Sequence, residues 1–128
     1  MSKYAKAKGR SGSYLFVMLR HDMMKSQAWR SLSPNARCVW TEIMFRFWKS
    51  NKNKSNNNGE IPLSCREAGE LCNISKSSAN RAFDELIEAG FIKIGTYAGF
   101  KNKQRYATRW ILTHEDLDGQ RPTNEWKS

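Results

Sequence analysis

The stretch Glu67-Ala-Gly-Glu-Leu-Cys-Asn-Ile-Ser-Lys-Ser-Ser-Ala-Asn-Arg-Ala-Phe83 constrains the fold more than any other part of the chain. Two helices can cross closely only where one presents a small residue, and Gly69 supplies it. The turn four residues later favours a residue that tolerates positive φ, which Asn73 does better than most. Ile74 is positioned to plug into a core, and Ser75 to cap a second helix. Ala79, Ala82, Phe83 and Leu86 then form the inward face of that helix. This succession is the pattern of a helix-turn-helix, a motif whose second helix enters the major groove of DNA.

The flanking elements are legible from caps and periodicity. Ser64-Cys-Arg-Glu67 is a capping box, and its helix is expected to run only to about Cys72. The helix capped by Ser75 is expected to reach Ala89, with Gly90 standing where a left-handed C-terminal residue is wanted. Ser33-Pro34 starts an earlier helix, serine as cap and proline at the first helical position. From there Ala36, Val39, Trp40, Ile43, Met44 and Phe47 make one apolar face that continues through Trp48. Asp22–Leu32 reads as a short helical piece in which Met23, Met24, Ala28, Trp29 and Leu32 can reach a core. Tyr14–Leu19 fits either a strand or the first turn of a helix.

Ser50–Gly59 is polar, low in complexity and expected to be a loop. Ile61-Pro62-Leu63 is a short extended segment, held by its proline to an edge or a strand end. Phe91–Thr96 and Arg105–Leu112 alternate with period two, and the basic segment between them makes the pair a β-hairpin. The resulting order is helix, strand, helix, helix, strand, loop, strand. It describes a winged helix-turn-helix: an α+β, mainly helical fold with a three-helix core, a small antiparallel β-hairpin wing and an N-terminal helical extension. The domain is expected over residues 14–113. A disordered basic arm (1–13) precedes it, and a polar tail (114–128), in which only Leu117 and Trp126 pack, follows.

The 128 residues include 22 Lys and Arg against 12 Asp and Glu, a net charge of +10. Residues 1–30 carry +6, whereas residues 61–90 carry −2. Basicity concentrated on particular surfaces is the footprint of a polyanion partner. The outward face of the helix after Ser75 holds Lys76, Ser77, Asn80 and Arg81, with Ser78 partly exposed. Arginine can bond guanine O6 and N7 together, asparagine can do the same to adenine N6 and N7, and serines adapt to either. Free N–H groups at the helix start, with Ser75 and Lys76, suit a phosphate. Asp84, Glu85 and Glu88 follow, so only the first two turns are expected to approach DNA.

The hairpin loop Tyr97–Arg105 carries Lys101, Lys103 and Arg105 and no acid. Such a wing would lie along the DNA backbone or reach into the minor groove, with Phe100 at its tip as a packing residue. The basic arm could follow the minor groove as well. Lys49, Lys52 and Lys54 stand behind these candidates.

Other chemistry lacks its residues. No apolar run approaches the roughly 18 residues needed to cross a bilayer, and the basic N-terminus has no apolar segment of signal-peptide length behind it. A cytoplasmic, nucleoid-associated location is therefore expected. Cys38, Cys65 and Cys72 form no Cys-x-x-Cys, and an odd count argues for a reducing compartment and ordinary buried thiols. His21 and His114 are far apart and no cysteine pair lies near either, so metal ligands at usable spacing are missing. No phosphate loop, nucleophile elbow or zinc-protease motif occurs, and Asp116 with Asp118 in a polar tail makes no two-metal site. No catalytic residue, metal, cofactor or small-molecule ligand is expected. The expected partner is double-stranded DNA. A homodimer would suit paired half-sites, although no heptad marks an interface.

Three stretches, Trp29-Arg-Ser-Leu-Ser-Pro-Asn-Ala-Arg37, Asn57-Asn-Gly-Glu-Ile-Pro-Leu-Ser-Cys-Arg-Glu-Ala68 and Ile74-Ser-Lys-Ser-Ser-Ala-Asn-Arg-Ala-Phe83, carry a resemblance. Together they resemble a family of small bacterial winged-helix proteins found on plasmids, phages and integrative elements. The module is also similar to the N-terminal DNA-binding domain of phage replication initiators. The resemblance spans residues 14–113 and implies the winged-helix fold and DNA binding. Asn73 departs from the glycine that such motifs often carry. The expected function is a sequence-specific double-stranded DNA-binding protein, a transcriptional regulator of a bacterial mobile element. One alternative is a replication-initiation protein, although a chain of this length is expected to hold no separate motor or helicase-loading domain. The other is a protein-interaction module, inhibitor or adaptor, using Trp126 or the Met23/Met24 segment.

Overall fold

The computed structural model describes residues 16–50, 52–53 and 55–127. The basic arm 1–13, Tyr14, Leu15 and Lys54 lie outside the described residues. The fold is α+β, with five helices and small antiparallel sheets. Helices α1 (His21–Lys25) and α2 (Gln27–Arg30) precede α3 (Pro34–Arg46). Strand β1 (Ile61–Pro62), α4 (Cys65–Cys72), α5 (Lys76–Glu88) and β2 (Ile92–Thr96) follow. The chain then forms β3 (Gly99–Lys101), β4 (Gln104–Tyr106), β5 (Arg109–Leu112) and a 3₁₀ turn, Glu125–Lys127. No described helix is long and apolar enough to cross a membrane.

The helix ends form as their capping residues require. Ser33 Oγ accepts from the Ala36 N–H at 3.1 Å, and Ser64 with Glu67 completes a capping box. Beyond α5, Gly90 is left-handed at φ 87°. The Gly90 N–H donates to the Ile87 carbonyl at 3.1 Å and the Phe91 N–H to Leu86 at 3.0 Å, a Schellman motif. Helix α3 ends earlier than its apolar face implies. Asn57 takes the chain away there: its Nδ2 donates to the Arg46 carbonyl at 3.0 Å and its Oδ1 accepts from the Trp48 N–H at 2.8 Å. Phe47 is extended as a result, and Trp48 is exposed.

Three more expectations are revised. Residues 16–20 are neither strand nor helix, and Phe16–Leu19 lie exposed. The Asp22–Leu32 piece is two helices broken at Ser26, whose hydroxyl accepts from the Trp29 N–H at 3.1 Å and restarts the chain. Met23 is buried there, whereas Met24 points to solvent. The run Arg105–Leu112 is not one strand. Only Arg109–Leu112 joins the core sheet, ordered β1-β5-β2, while Gln104–Tyr106 pairs with Gly99–Lys101 in a separate ribbon. The break falls at Thr108, whose carbonyl accepts from Leu63 N at 3.1 Å and whose hydroxyl accepts from Ala98 N at 3.2 Å.

Aromatic rings organise the core. Trp29 meets Trp40 edge-on at 5.2 Å and Phe91 at 5.7 Å, and Phe83 stacks on Trp110 at 4.6 Å. Trp126 is buried and stacks on Phe91 at 6.1 Å. The segment read as a polar tail therefore packs onto the core, with Thr113 and His114 buried too. A Cβ on Gly90 would lie 2.6 Å from the Glu125 carbonyl carbon, so this close approach also requires glycine.

The asparagine-rich loop is similarly tied down. Buried Asn58 donates to the carbonyls of Leu112, Asp116 and Glu115 (3.0, 3.0 and 3.3 Å) and accepts from the Leu112 N–H at 2.7 Å. The three cysteines are free and partly exposed. Burial, and Cys38 beside it, push the Cys72 thiol up to about 12.

Two outcomes follow from this packing. Asn58→Ala strands buried backbone groups and is expected to cost about 3 kcal/mol or more in denaturant unfolding; an unchanged midpoint would contradict the role of this residue. His114 is depressed to about 4, chiefly by burial, then by Arg20 and Lys49, with Asp22 acting in the opposite direction. Its Nδ1 has no partner among the described residues, so a second N–H would go unsatisfied on protonation. The unfolded chain takes the proton first. Stability should therefore fall as pH drops from about 6.5 toward 4, by about 3 kcal/mol in total from this group. His114→Gln should flatten that limb in thermal melts across the same pH range.

Candidate nucleic-acid interface

The turn before α5 is shaped by one missing side chain. A Cβ on Gly69 would lie 2.9 Å from the Ile74 carbonyl oxygen and 3.4 Å from Ser75 backbone atoms. Only glycine lets the chain double back this tightly against α4. Asn73 supplies the left-handed step (φ 60°, ψ 45°), and the Ile74 N–H donates to the Gly69 carbonyl at 2.9 Å. Ile74 packs partly buried against the core, as its place in the pattern implies.

Helix α5 buries Ala79, Ala82, Phe83 and Leu86 and leaves Lys76, Ser77, Asn80 and Arg81 in solvent, with Ser78 half-buried. Ser75 caps it, accepting from the Ser78 N–H at 3.0 Å. The same hydroxyl donates to Ser78 Oγ at 2.9 Å and lies 3.3 Å from Ser77 Oγ. Arg81 Nη2 donates to Ser78 Oγ at 3.1 Å. Three serines and Arg81 thus form one network on the first turns, with hydroxyls free to exchange these bonds for others. Asn80 Oδ1 accepts a weak bond from the Cys65 thiol at 3.6 Å, which leaves its amide N–H groups for a partner. Burial raises the Cys65 pKa, so that thiol keeps the proton it donates.

Glu85 does not belong to this outer face. Its carboxylate accepts from the Ser33 N–H at 2.9 Å and from Ser33 Oγ at 2.7 Å, clamping α5 to the start of α3. A negative charge at a helix N-terminus is favourable in its own right. Sequence reading missed this role because the two residues lie 52 positions apart. Asp84 and Glu88 remain exposed.

The segment expected as a wing forms the β3–β4 ribbon. Asn102 (φ 52°) and Lys103 (φ 63°) both take positive φ between paired Lys101 and Gln104, the pattern of a two-residue type I′ turn. Lys101, Lys103 and Arg105 are all exposed. They are joined to the first turns of α5 by no hydrogen bond or ion pair among the described residues. Phe100, expected to pack, is 66% exposed, and Tyr97 is exposed beside it. The ribbon is too thin to cover an aromatic ring.

Six basic residues outside this surface are held in ion pairs. Arg20, Arg46, Lys49, Arg66, Lys93 and Arg109 each lie within ion-pair distance of Asp22, Glu67, Glu115, Glu70, Glu125 and Glu60, respectively. Arg37 is turned inward, donating to the carbonyls of Trp29 and Arg30 at 3.1 Å. Lys76, Arg81, Lys101, Lys103 and Arg105 have no acidic partner among the described residues, and neither do Lys25, Arg30, Lys52, Arg121 and Lys127 elsewhere on the surface. Lys49, a candidate from the sequence, is held by Glu115 at 3.3 Å.

The chain matches no protein-family model, and no curated protein or solved structure matches it. The reading of this surface therefore rests on its own residues. One of them carries a measurable cost. Lys103 holds a left-handed conformation that glycine adopts freely. Lys103→Gly is expected to stabilise the protein by about 0.5–1 kcal/mol in thermal or urea unfolding; destabilisation would mean that the Lys103 side chain itself supports the ribbon.

Proposed function

We propose that the protein binds double-stranded DNA sequence-specifically as a winged helix-turn-helix module. In this reading α5 lies in the major groove and the β3–β4 wing runs on the backbone or in the minor groove. The observation that carries the reading is the outward face of α5, where Lys76, Ser77, Asn80 and Arg81 stand in solvent, with Lys101, Lys103 and Arg105 exposed on the wing. None of these five basic residues has an acidic partner among the described residues; six elsewhere do, and Lys25, Arg30, Lys52, Arg121 and Lys127 do not. An uncompensated positive surface attracts a polyanion, and phosphates supply the missing partners with release of counterions. Arg81 and Asn80 supply side chains that discriminate bases, and the serines supply adaptable donors and acceptors. Lys103, kept where glycine would be easier, fits a requirement for charge at the wing tip. A regulatory role on a bacterial mobile element rests on the resemblance of the sequence alone, and a replication-initiation role would use the same surface.

A protein-interaction role loses Trp126, which is buried, and the Met23 half of the Met23/Met24 segment. It keeps the exposed apolar run Phe16–Leu19 with Met24.

Selection from a random duplex library at about 0.15 M salt, where the screening length is about 8 Å, tests the proposal. An enriched motif is the expected result, and a palindrome would add a symmetric dimer. Retention without enrichment would overturn the sequence-specific part. No retention would overturn DNA binding and move attention to Phe16–Leu19. With roughly five phosphates neutralised, log K against log[salt] should have a slope near −4 to −5. Arg81→Ala should relax preference at one position by about 1–3 kcal/mol. Lys103→Ala should weaken all sequences alike and reduce the slope by about one. Equal losses from both variants on selected and random DNA would overturn this division of labour.

A further inference from the structure

The wing displays an aromatic side chain in a setting that suits a particular partner. Phe100 and Arg105 are directly opposed in the β3–β4 register, so their side chains leave the ribbon on the same face. Gly99, Lys101, Gln104 and Tyr106 occupy the other face. On that second face Tyr106 is half-buried: its hydroxyl lies over Gly99 of the same ribbon, and Arg109 stands 5.8 Å from its ring centroid. On the opposite face Phe100 is 66% exposed.

Its neighbours define what can receive it. Arg105 lies beside the ring, and Lys101 and Lys103 flank the turn, none of them paired with an acid among the described residues. A dry, apolar protein interface would have to strip water from these cations without compensating them. A nucleic-acid duplex pairs each cation with a phosphate and offers an apolar, stacked interior for the ring. The tight turn, with two left-handed residues, projects the ring on a narrow tip rather than a broad platform.

We infer that Phe100 is a wedge residue: the wing enters the minor groove and Phe100 inserts between two base pairs, unstacking that step and bending the duplex. This rests on the DNA-binding reading above and adds to it a deformation of the DNA. Apolar wedges from minor-groove proteins bend duplexes in this way, the unstacking being offset by contacts that the bend permits. Flexible pyrimidine–purine steps would accept the ring most readily, so the wing would contribute a sequence preference without bonding to any base.

The test uses the full chain and an end-labelled duplex of the enriched site, or of mixed sequence where none enriches. 2-Aminopurine is placed at successive steps. Anisotropy reports binding, energy transfer between the ends reports bending, and 2-aminopurine fluorescence reports unstacking. The wild-type protein is expected to brighten one step and bring the ends together. Phe100→Leu should retain both signals. Phe100→Ala should abolish both, weaken binding about tenfold and leave the salt slope unchanged, since no charge is removed. Because Phe100 is exposed, its circular dichroism and melting should match wild type. Binding by the wild-type protein with neither signal, or signals that persist in Phe100→Ala, would overturn the wedge while leaving DNA binding intact. No anisotropy change with wild-type protein would overturn the DNA-binding reading itself, and the wedge with it.

Discussion

The close approach of Gly69 to the Ile74 carbonyl and the Ser75 backbone is the constraint on which the presentation of α5 depends. The 2.9 Å spacing to a built Cβ leaves no room for a side chain, and left-handed Asn73 turns the chain into that space. With the turn set, the amphipathic pattern of α5 does the rest. Ala79, Ala82, Phe83 and Leu86 go inward, so Lys76, Ser77, Asn80 and Arg81 have only solvent to face. Two further contacts hold the orientation. Glu85 ties the last turn of α5 to the α3 cap, and Phe83 lies flat on Trp110 of the sheet. The outer surface of α5 is thus held in place by backbone and core contacts made on its other side.

Exposed ion pairs stabilise a fold by only about 0–1 kcal/mol each, so pairs such as Arg109–Glu60 contribute little to folding. They neutralise six basic residues, whereas Lys76, Arg81, Lys101, Lys103 and Arg105 on α5 and the β3–β4 ribbon, and Lys25, Arg30, Lys52, Arg121 and Lys127 elsewhere, have no acidic partner among the described residues.

Much of the local architecture was legible because it rests on short-range chemistry. The Ser64/Glu67 capping box, the Ser33 and Ser75 caps, left-handed Asn73 and the Gly90 terminus all depend on residues within five positions of one another. The apolar periodicity of α5 placed its buried and exposed faces correctly. The candidates on α5 were recoverable for the same reason, since a helix face follows from spacing. Other features were out of reach. Asn56, Asn57 and Asn58 look alike in a polar run, yet Asn57 ends α3 and Asn58 is buried among the carbonyls of Leu112, Glu115 and Asp116. The alternation of Arg105–Leu112 continues smoothly through a point where Leu63 and Ala98 claim Thr108 and split the strand in two.

By itself, then, the sequence determined α4 and α5, the serine caps of α3, α4 and α5, the tight turn between α4 and α5, and which face of α5 is apolar, because these follow from contacts a few residues apart. Tertiary structure alone decided the rest. It drew Trp126 onto Phe91, His114 into the core and Glu85 onto Ser33, and it left Phe100 largely exposed on the β3–β4 ribbon. Those outcomes depend on which distant surfaces meet. A tryptophan, a glutamate or a phenylalanine has the same composition and spacing whether or not another part of the chain arrives to cover it.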